Sequence, residues 1–419
     1  MAAVAALIFG NAAEGEATGV ARHVHEILTS NPAAREAYST GNLYLRRNLL
    51  REDLAEAVQH FRSAIAYDSN FAQAWAKLGI ARLSFMWEFG ASGQFALAEL
   101  AVERAAELKP DLPETHLALG YLRYYGYRDY DAALINLLRA ESLASNDPDI
   151  LIPIGYVLRR QGHWNAALEY FHRAAAIDAA SFELQFALAT TYQQMRQYDQ
   201  AEIFHDRAIA LEPERYFSHR LKALLRLARD GDPEGALDVL NEWRTFRPEM
   251  ILISPVLSRT LATHFAVEAR DWSMEQAPID SATFYLNKGQ LLAIVGDSAA
   301  AVMLFDSARV VFENRGVGRT QDFAGAIGFA GMQLSLAYAA LDRKDEALDL
   351  AERIIATPEL VADHYSGPRA LVTFAEVLVA IGEHERAKIA LERLLEIPSW
   401  ISRELLSVDP IWAAAGMNN

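Results

Sequence analysis

The 419-residue sequence contains no cysteine, which excludes a disulfide framework, a cysteine-ligated zinc and a thiol nucleophile together and leaves the compartment open. Positive charge is scarce: 39 Lys and Arg stand against 55 Asp and Glu, a formal net charge of −16. That is the wrong sign for a chain that coats nucleic acid or an anionic membrane. No nucleic-acid partner is expected, and a basic partner surface is easier to accommodate. Long apolar runs are also missing. The nearest candidate, residues 2–10, falls short of the roughly 20 residues a bilayer-spanning helix needs and lacks the basic start of a signal peptide. It reads as a frayed apolar tip or as the end of a membrane helix begun upstream. No membrane span is expected within the chain. The expected location is cytoplasmic, with a periplasmic or membrane-tethered alternative.

Catalytic signatures are absent as well. The run Gly316-Val317-Gly318-Arg319-Thr320 lacks the later glycine or Lys-Ser/Thr pair of a phosphate-binding loop and reads as a connection. None of the eleven histidines falls in a His-Glu-x-x-His arrangement, and His23 and His25 would point in different directions on a helix. No Gly-x-Ser-x-Gly elbow occurs. Carboxylate pairs such as Glu383 and Glu385 read as a wet helix face, and Trp75, Trp164, Trp243 and Trp272 as core rings. No cofactor, metal or catalytic residue is expected.

What the sequence does contain is a repeat. One unit carries Gly155, Leu158, Gly162, Trp164, Ala167, Phe171 and Ala174; the next carries Ala189, Tyr192, Tyr198, Ala201, His205, Ala208 and Pro213. Gly155 and Ala189 lie 34 residues apart, as do Ala167 and Ala201. The frame recurs around Gly41/Ala57, Gly79/Ala98, Gly120/Ala133, Gly289/Ala301, Leu334/Ala347 and Ala375/Ala387, giving eight units. Apolar residues three and four apart, broken by short turns such as 160–163, make each unit two amphipathic helices. The small residues let those helices approach closely, and a unit this short buries its stripe only by stacking on its neighbours.

These spacings resemble the tetratricopeptide repeat family from about Asn31 to Ser399. The resemblance implies an all-α fold, a right-handed α-solenoid of stacked antiparallel helix pairs. It divides the chain into an N-terminal segment (1–30), a first repeat block (31–215), divergent helical hairpins (216–280), a second block (281–398), and a terminal helix and tail (399–419). The order of a long-looped first unit, the Tyr121–Tyr130 segment and the closing Asp409-Pro410-Ile411-Trp412 looks like the repeat-rich C-terminal half of bacterial multidomain signalling proteins. In those an effector or membrane helix precedes the repeats, so either end here is a candidate truncation point.

The family implies a protein or peptide partner in a concave groove lined by the first helices. In the fourth unit Leu151, Ile154, Gly155 and Leu158 form the buried stripe, leaving Tyr156, Arg159 and Arg160 on another face. The same register along the chain collects Tyr38, Asn42, Arg46, Tyr121, Tyr125, Phe186 and Gln194, and tyrosine and arginine are the side chains favoured at interface hot spots. Against this stands the alternative that Tyr124 and Tyr125 pack on Tyr127 and Tyr130 in their own loop. The family's chaperone-tail clamp is incomplete, because Asn42 and Lys77 are followed by Thr115 in the third unit. Its asparagine ladder is replaced by Ser39, Lys77, Ala118, Pro153 and Ala187. The expected function is an interaction scaffold or sensing module in bacterial signalling. The alternatives are an enzyme with a site hidden in 216–280, or an assembly factor of an envelope or secretion complex.

Overall fold

A computed structural model of the chain describes residues 26–47, 51–89, 91–246, 255–264, 281–317 and 326–416. Within them every regular element is helical. Five hairpins come first: α1 (Pro32–Arg47) with α2 (Arg51–Tyr67), α3 (Ala72–Phe89) with α4 (Phe95–Leu108), α5 (Pro113–Tyr121) with α6 (Tyr130–Leu143), α7 (Pro148–Arg160) with α8 (Trp164–Ile177), and α9 (Phe182–Gln194) with α10 (Tyr198–Leu211). A sixth, α11 (Tyr216–Asp230) with α12 (Pro233–Arg244), leads to α13 (Pro255–His264). The remainder is α14 (Ser281–Ile294) with α15 (Ser298–Asn314), α16 (Ala326–Ala340) with α17 (Lys344–Ile355), a short α18 (Pro358–Val361), α19 (Ser366–Ile381) with α20 (His384–Glu396), α21 (Arg403–Val408) and a final 3₁₀ turn. The fold is an all-α solenoid, and no described helix is long and apolar enough to cross a membrane.

The small residues act as the sequence predicts. A Cβ at Gly155 would stand 2.5 Å from the Phe171 ring, and one at Gly41 would stand 2.8 Å from Phe61. At Gly41, Gly155 and Gly289 the first helix thus offers bare backbone to a phenylalanine ring of its partner, while Gly79 and Gly120 receive Val102 and Leu137. Ala167, Ala201 and Ala387 are wholly buried, so added volume there would have no room. Gly162 closes its hairpin at φ +82°, while the equivalent corner after α9 is held by Arg196 at φ +57°, a strained position for a side-chain-bearing residue.

One departure from the expected pattern matters for the site. The Tyr-rich stretch is not a loop: α5 continues as a π-helical turn over Leu122–Tyr127 and ends at Arg128, φ +55°. The stretch 216–244 is a well-packed hairpin with Ala223 and Ala236 wholly buried. Trp164 and Trp243 are core residues and Trp75 is half-buried. Trp272, His23, His25, residues 2–10 and residues 318–320 lie outside the described residues.

The chain also turns back on itself. Trp243, Leu224 and Leu257 share one core with Leu391, Leu406 and Trp412. At its edge Arg259, 3% exposed, donates to Glu376 at 2.7 Å and to Asp409 at 2.8 Å. Arg196 donates from the α9–α10 corner to the Leu394 and Ile401 carbonyls at 2.7 and 3.0 Å and to Ser399 Oγ at 3.1 Å. The C-terminal helices are thereby drawn towards the first block.

Candidate functional site

The groove is built from α3, α5, α7, α9 and the start of α11. Its floor is aromatic because the π-helical turn shifts the register of α5 and brings three tyrosines towards α3 and α7. Trp87 stacks on Tyr125 with centroids 4.4 Å apart, and Tyr121 meets Tyr125 edge-on at 5.2 Å. Tyr156 donates from its hydroxyl to Glu183 Oε1 at 3.2 Å. Tyr121, Tyr125 and Tyr156 are half-buried, and burial above all drives each of their hydroxyl pKa values well up.

One end of the groove is occupied by the chain's own C-terminal block. Asp363, between α18 and α19, is 2% exposed. Its carboxylate accepts from Arg160 Nη1, from the Tyr130 hydroxyl at 2.9 Å, and from the Tyr365 and Ser366 amides at 2.9 and 2.8 Å. Burial pulls the Asp363 pKa up, but Arg160 and these donors outweigh it and leave it lowered. The His364 amide donates to the Arg160 carbonyl at 2.8 Å. Arg159 lies 3.9 Å over the Tyr365 ring and donates to Thr190 and Thr191 at 3.1 and 3.0 Å. Burial raises the Tyr365 phenol, yet Arg159, Arg369, Arg160 and Arg220 together bring it below its ordinary value.

The expected groove residues therefore separate. Arg159 and Arg160 are 6% and 7% exposed and already engaged, which corrects the expectation that they face a partner. Two more corrections concern Tyr38, buried with its ring 4.9 Å from Phe71 in the first unit's core, and Gln194, also buried. Tyr124 is buried too, accepting from Arg160 Nε at 2.7 Å with its ring 5.9 Å from Tyr130. The alternative of local tyrosine packing thus holds for Tyr124. Tyr125 instead stacks on Trp87, and Tyr127 turns to Phe95 and Glu99. Phe186 is half-buried on Phe182, and Asn42 donates to the Tyr38 carbonyl at 3.1 Å. Arg46 is exposed and reaches Asp149 at 3.2 Å, next to Lys77 at 3.7 Å.

Two residues that sequence reasoning missed complete the open stretch. Glu88 on α3 and Glu183 on α9 are both open to water, and neither forms a salt bridge among the described residues. The surrounding concavity raises the pKa of Glu88, with the Glu183 charge adding to it and Arg160 and Arg215 opposing. For Glu183 the same enclosure by the groove walls comes first, opposed by the Tyr156 hydroxyl and Arg215 and assisted by Asp149. Neither residue has a repeat signature, because both sit at helix ends where the pattern permits any polar side chain. Among the described residues no group of three or more histidines and carboxylates is placed to hold a metal.

Residues 158–227 match the family model described as a tetratricopeptide repeat. A search of curated protein sequences returns no match. Among solved structures, a tetratricopeptide repeat protein from Parabacteroides merdae is 12% identical, with 73% of this chain and 98% of that one covered at a TM-score of 0.41. PilF from Pseudomonas aeruginosa is 17% identical over 57% of this chain and 96% of its own, TM-score 0.37. YrrB, described as a tetratricopeptide repeat protein with an unusual peptide-binding site, is 18% identical over 45% and 92%, TM-score 0.32. Residues 158–227, on α7–α11, thus carry the tetratricopeptide repeat match, and the same kind of helical hairpin recurs on both sides of it.

Proposed function

We propose that the chain is an interaction scaffold that holds a protein or peptide partner in the concave groove of its first repeats, and that the bound segment presents a lysine or arginine. The observation that carries this reading is the pair of carboxylates Glu88 and Glu183. They face water and form no salt bridge among the described residues, and their concave setting raises both pKa values. A cation brought between them relieves that strain, because an opposite charge favours the ionised carboxylate. Tyr121, Tyr125 and Tyr156 supply ring faces to the same cation and a stiff apolar floor to the residues beside it. The overall charge of −16 steers a basic segment towards the molecule.

The binding face accordingly narrows to Tyr121, Tyr125, Tyr156 and Phe186 with Glu88 and Glu183, while Asn42 and Arg46 lie towards the first unit. The setting we propose is a bacterial regulatory or signalling assembly, in line with the order of repeat features in the sequence. The test is a selection from a random peptide library on immobilised chain, run in parallel on the Glu88→Gln/Glu183→Gln variant. Enrichment of peptides with a basic residue beside apolar ones, on the wild type and not on the variant, is the expected result. Peptides without basic residues, or equal enrichment on both proteins, would overturn the reading.

A further inference from the structure

A second site lies on a different face. Trp75, Leu78 and Arg82 line one stripe of α3, whereas Lys77, Ser84 and Glu88 lie on another. The first stripe floors a cleft of about 540 Å³, walled by Ile65 and Ala66 of α2 and by Leu97, Leu100 and Ala101 of α4. Its walls are apolar and its mouth carries exposed hydrocarbon, Leu97 at 47% and Leu100 at 62% exposure. Three guanidinium groups surround it, from Arg62, Arg82 and Arg104.

Arg82 is the anomaly. It is 9% exposed, its Nη1 donates to Gln94 at 2.6 Å, and its Nε is buried without a partner among the described residues. Burial and then the neighbouring Arg62 charge lower its pKa, with no carboxylate offsetting them. Among the described residues Arg62 makes only a 3.5 Å contact with Gln59, whereas Arg104 is paired with Glu107 at 2.8 Å. A buried cation without a counter-ion is costly, and it is out of place in a chain with sixteen excess acids.

We propose that this cleft binds a single-chain aliphatic carboxylate, the hydrocarbon lying along Leu78, Leu97 and Leu100 and the carboxylate meeting Arg82 Nε and Arg62. The volume falls in the range of small-molecule pockets. A planar carboxylate suits two guanidinium forks, and its single charge restores the missing counter-ion. Aliphatic walls choose a flexible chain over a polar body.

The probe is sodium decanoate below its micelle concentration, titrated against the full chain by calorimetry and by melting temperature, with decanol as the uncharged control. One decanoate should bind per chain and raise the melting temperature, since a ligand that binds only the folded state stabilises it. Decanol should bind about ten-fold or more weakly, as should decanoate to Arg62→Gln, the loss expected for a charged hydrogen bond. Arg62 is exposed, so that variant keeps its fold. Arg82→Met should melt higher than the wild type without ligand and lose the decanoate-induced rise. Equal binding of decanol and decanoate, binding unchanged in Arg62→Gln, or no binding would each overturn the proposal. So would a decanoate-independent dimer that covers the cleft with a second copy. None of these outcomes bears on Glu88 or Glu183, so this site and the groove are tested separately.

Discussion

His205 shows how a single residue ties the repeat to solution behaviour. It sits wholly buried on α10 with Nε2 2.9 Å from Gln193 Oε1, and burial, then Lys222, push its pKa down to about 3. In the unfolded chain the same imidazole protonates near pH 6.5. Between those values the unfolded state binds more protons, so stability must fall as pH drops from about 6.5, with a limiting slope of about 1.4 kcal/mol per pH unit. Urea denaturation at a series of pH values should show this decline, and His205→Gln should flatten it between pH 6 and pH 4. An identical pH dependence in the variant would contradict the assignment. Packing is tested one hairpin earlier: Ala167→Leu should cost about 1–3 kcal/mol, whereas exposed Glu169→Gln should stay within about 0.5 kcal/mol. Such contact positions were legible in the sequence because Gly155, Ala167, Ala189 and Ala201 recur in one register. The orientations of Glu88 and Glu183 were not, since they depend on how successive hairpins curve.

At the scale of the element, α7 does two jobs at once. Its early residues stack in the repeat, while its last turn, Arg159 and Arg160, clasps the Asp363–Tyr365 segment. The sequence placed Arg159 and Arg160 on a face separate from the stacking stripe, and that much was readable from three- and four-residue spacing. What covers that face was not, because Asp363 lies 203 residues away and no local pattern encodes such a pairing. The π-helical turn that extends α5 was equally hidden, since its tyrosines also fit a loop. Removing one partner of a buried ion pair strands the other, so Asp363→Ala should destabilise the chain by about 3–5 kcal/mol. Because the Asp363 pKa is lowered in the fold, the contribution of this carboxylate is complete above its unfolded value near pH 4 and is lost as pH falls through the lowered one. Thermal denaturation at pH 7 measures the cost. A melting temperature equal to that of the wild type would show that the segment rests on the groove without holding it.

On the scale of the whole molecule, the solenoid is not a simple row of nearest neighbours. The core shared by α11–α13 and α19–α21, together with Arg259, Glu376 and Asp409, links repeats far apart in sequence. Arg259→Ala should therefore lower the melting of probes in both blocks, and a change confined to one block would limit the coupling to that side. This linkage and the docked Asp363 segment leave the tyrosine and glutamate stretch as the open part of the groove, where we propose that the partner binds. The most direct measurement is the affinity of one selected basic peptide for the wild type, for Glu88→Gln/Glu183→Gln, and for Asp345→Asn on α17 as a remote acidic control. All three should melt alike, with binding weakened about ten-fold or more in the double variant and unchanged in the control. Equal affinity for the wild type and the double variant would contradict the account.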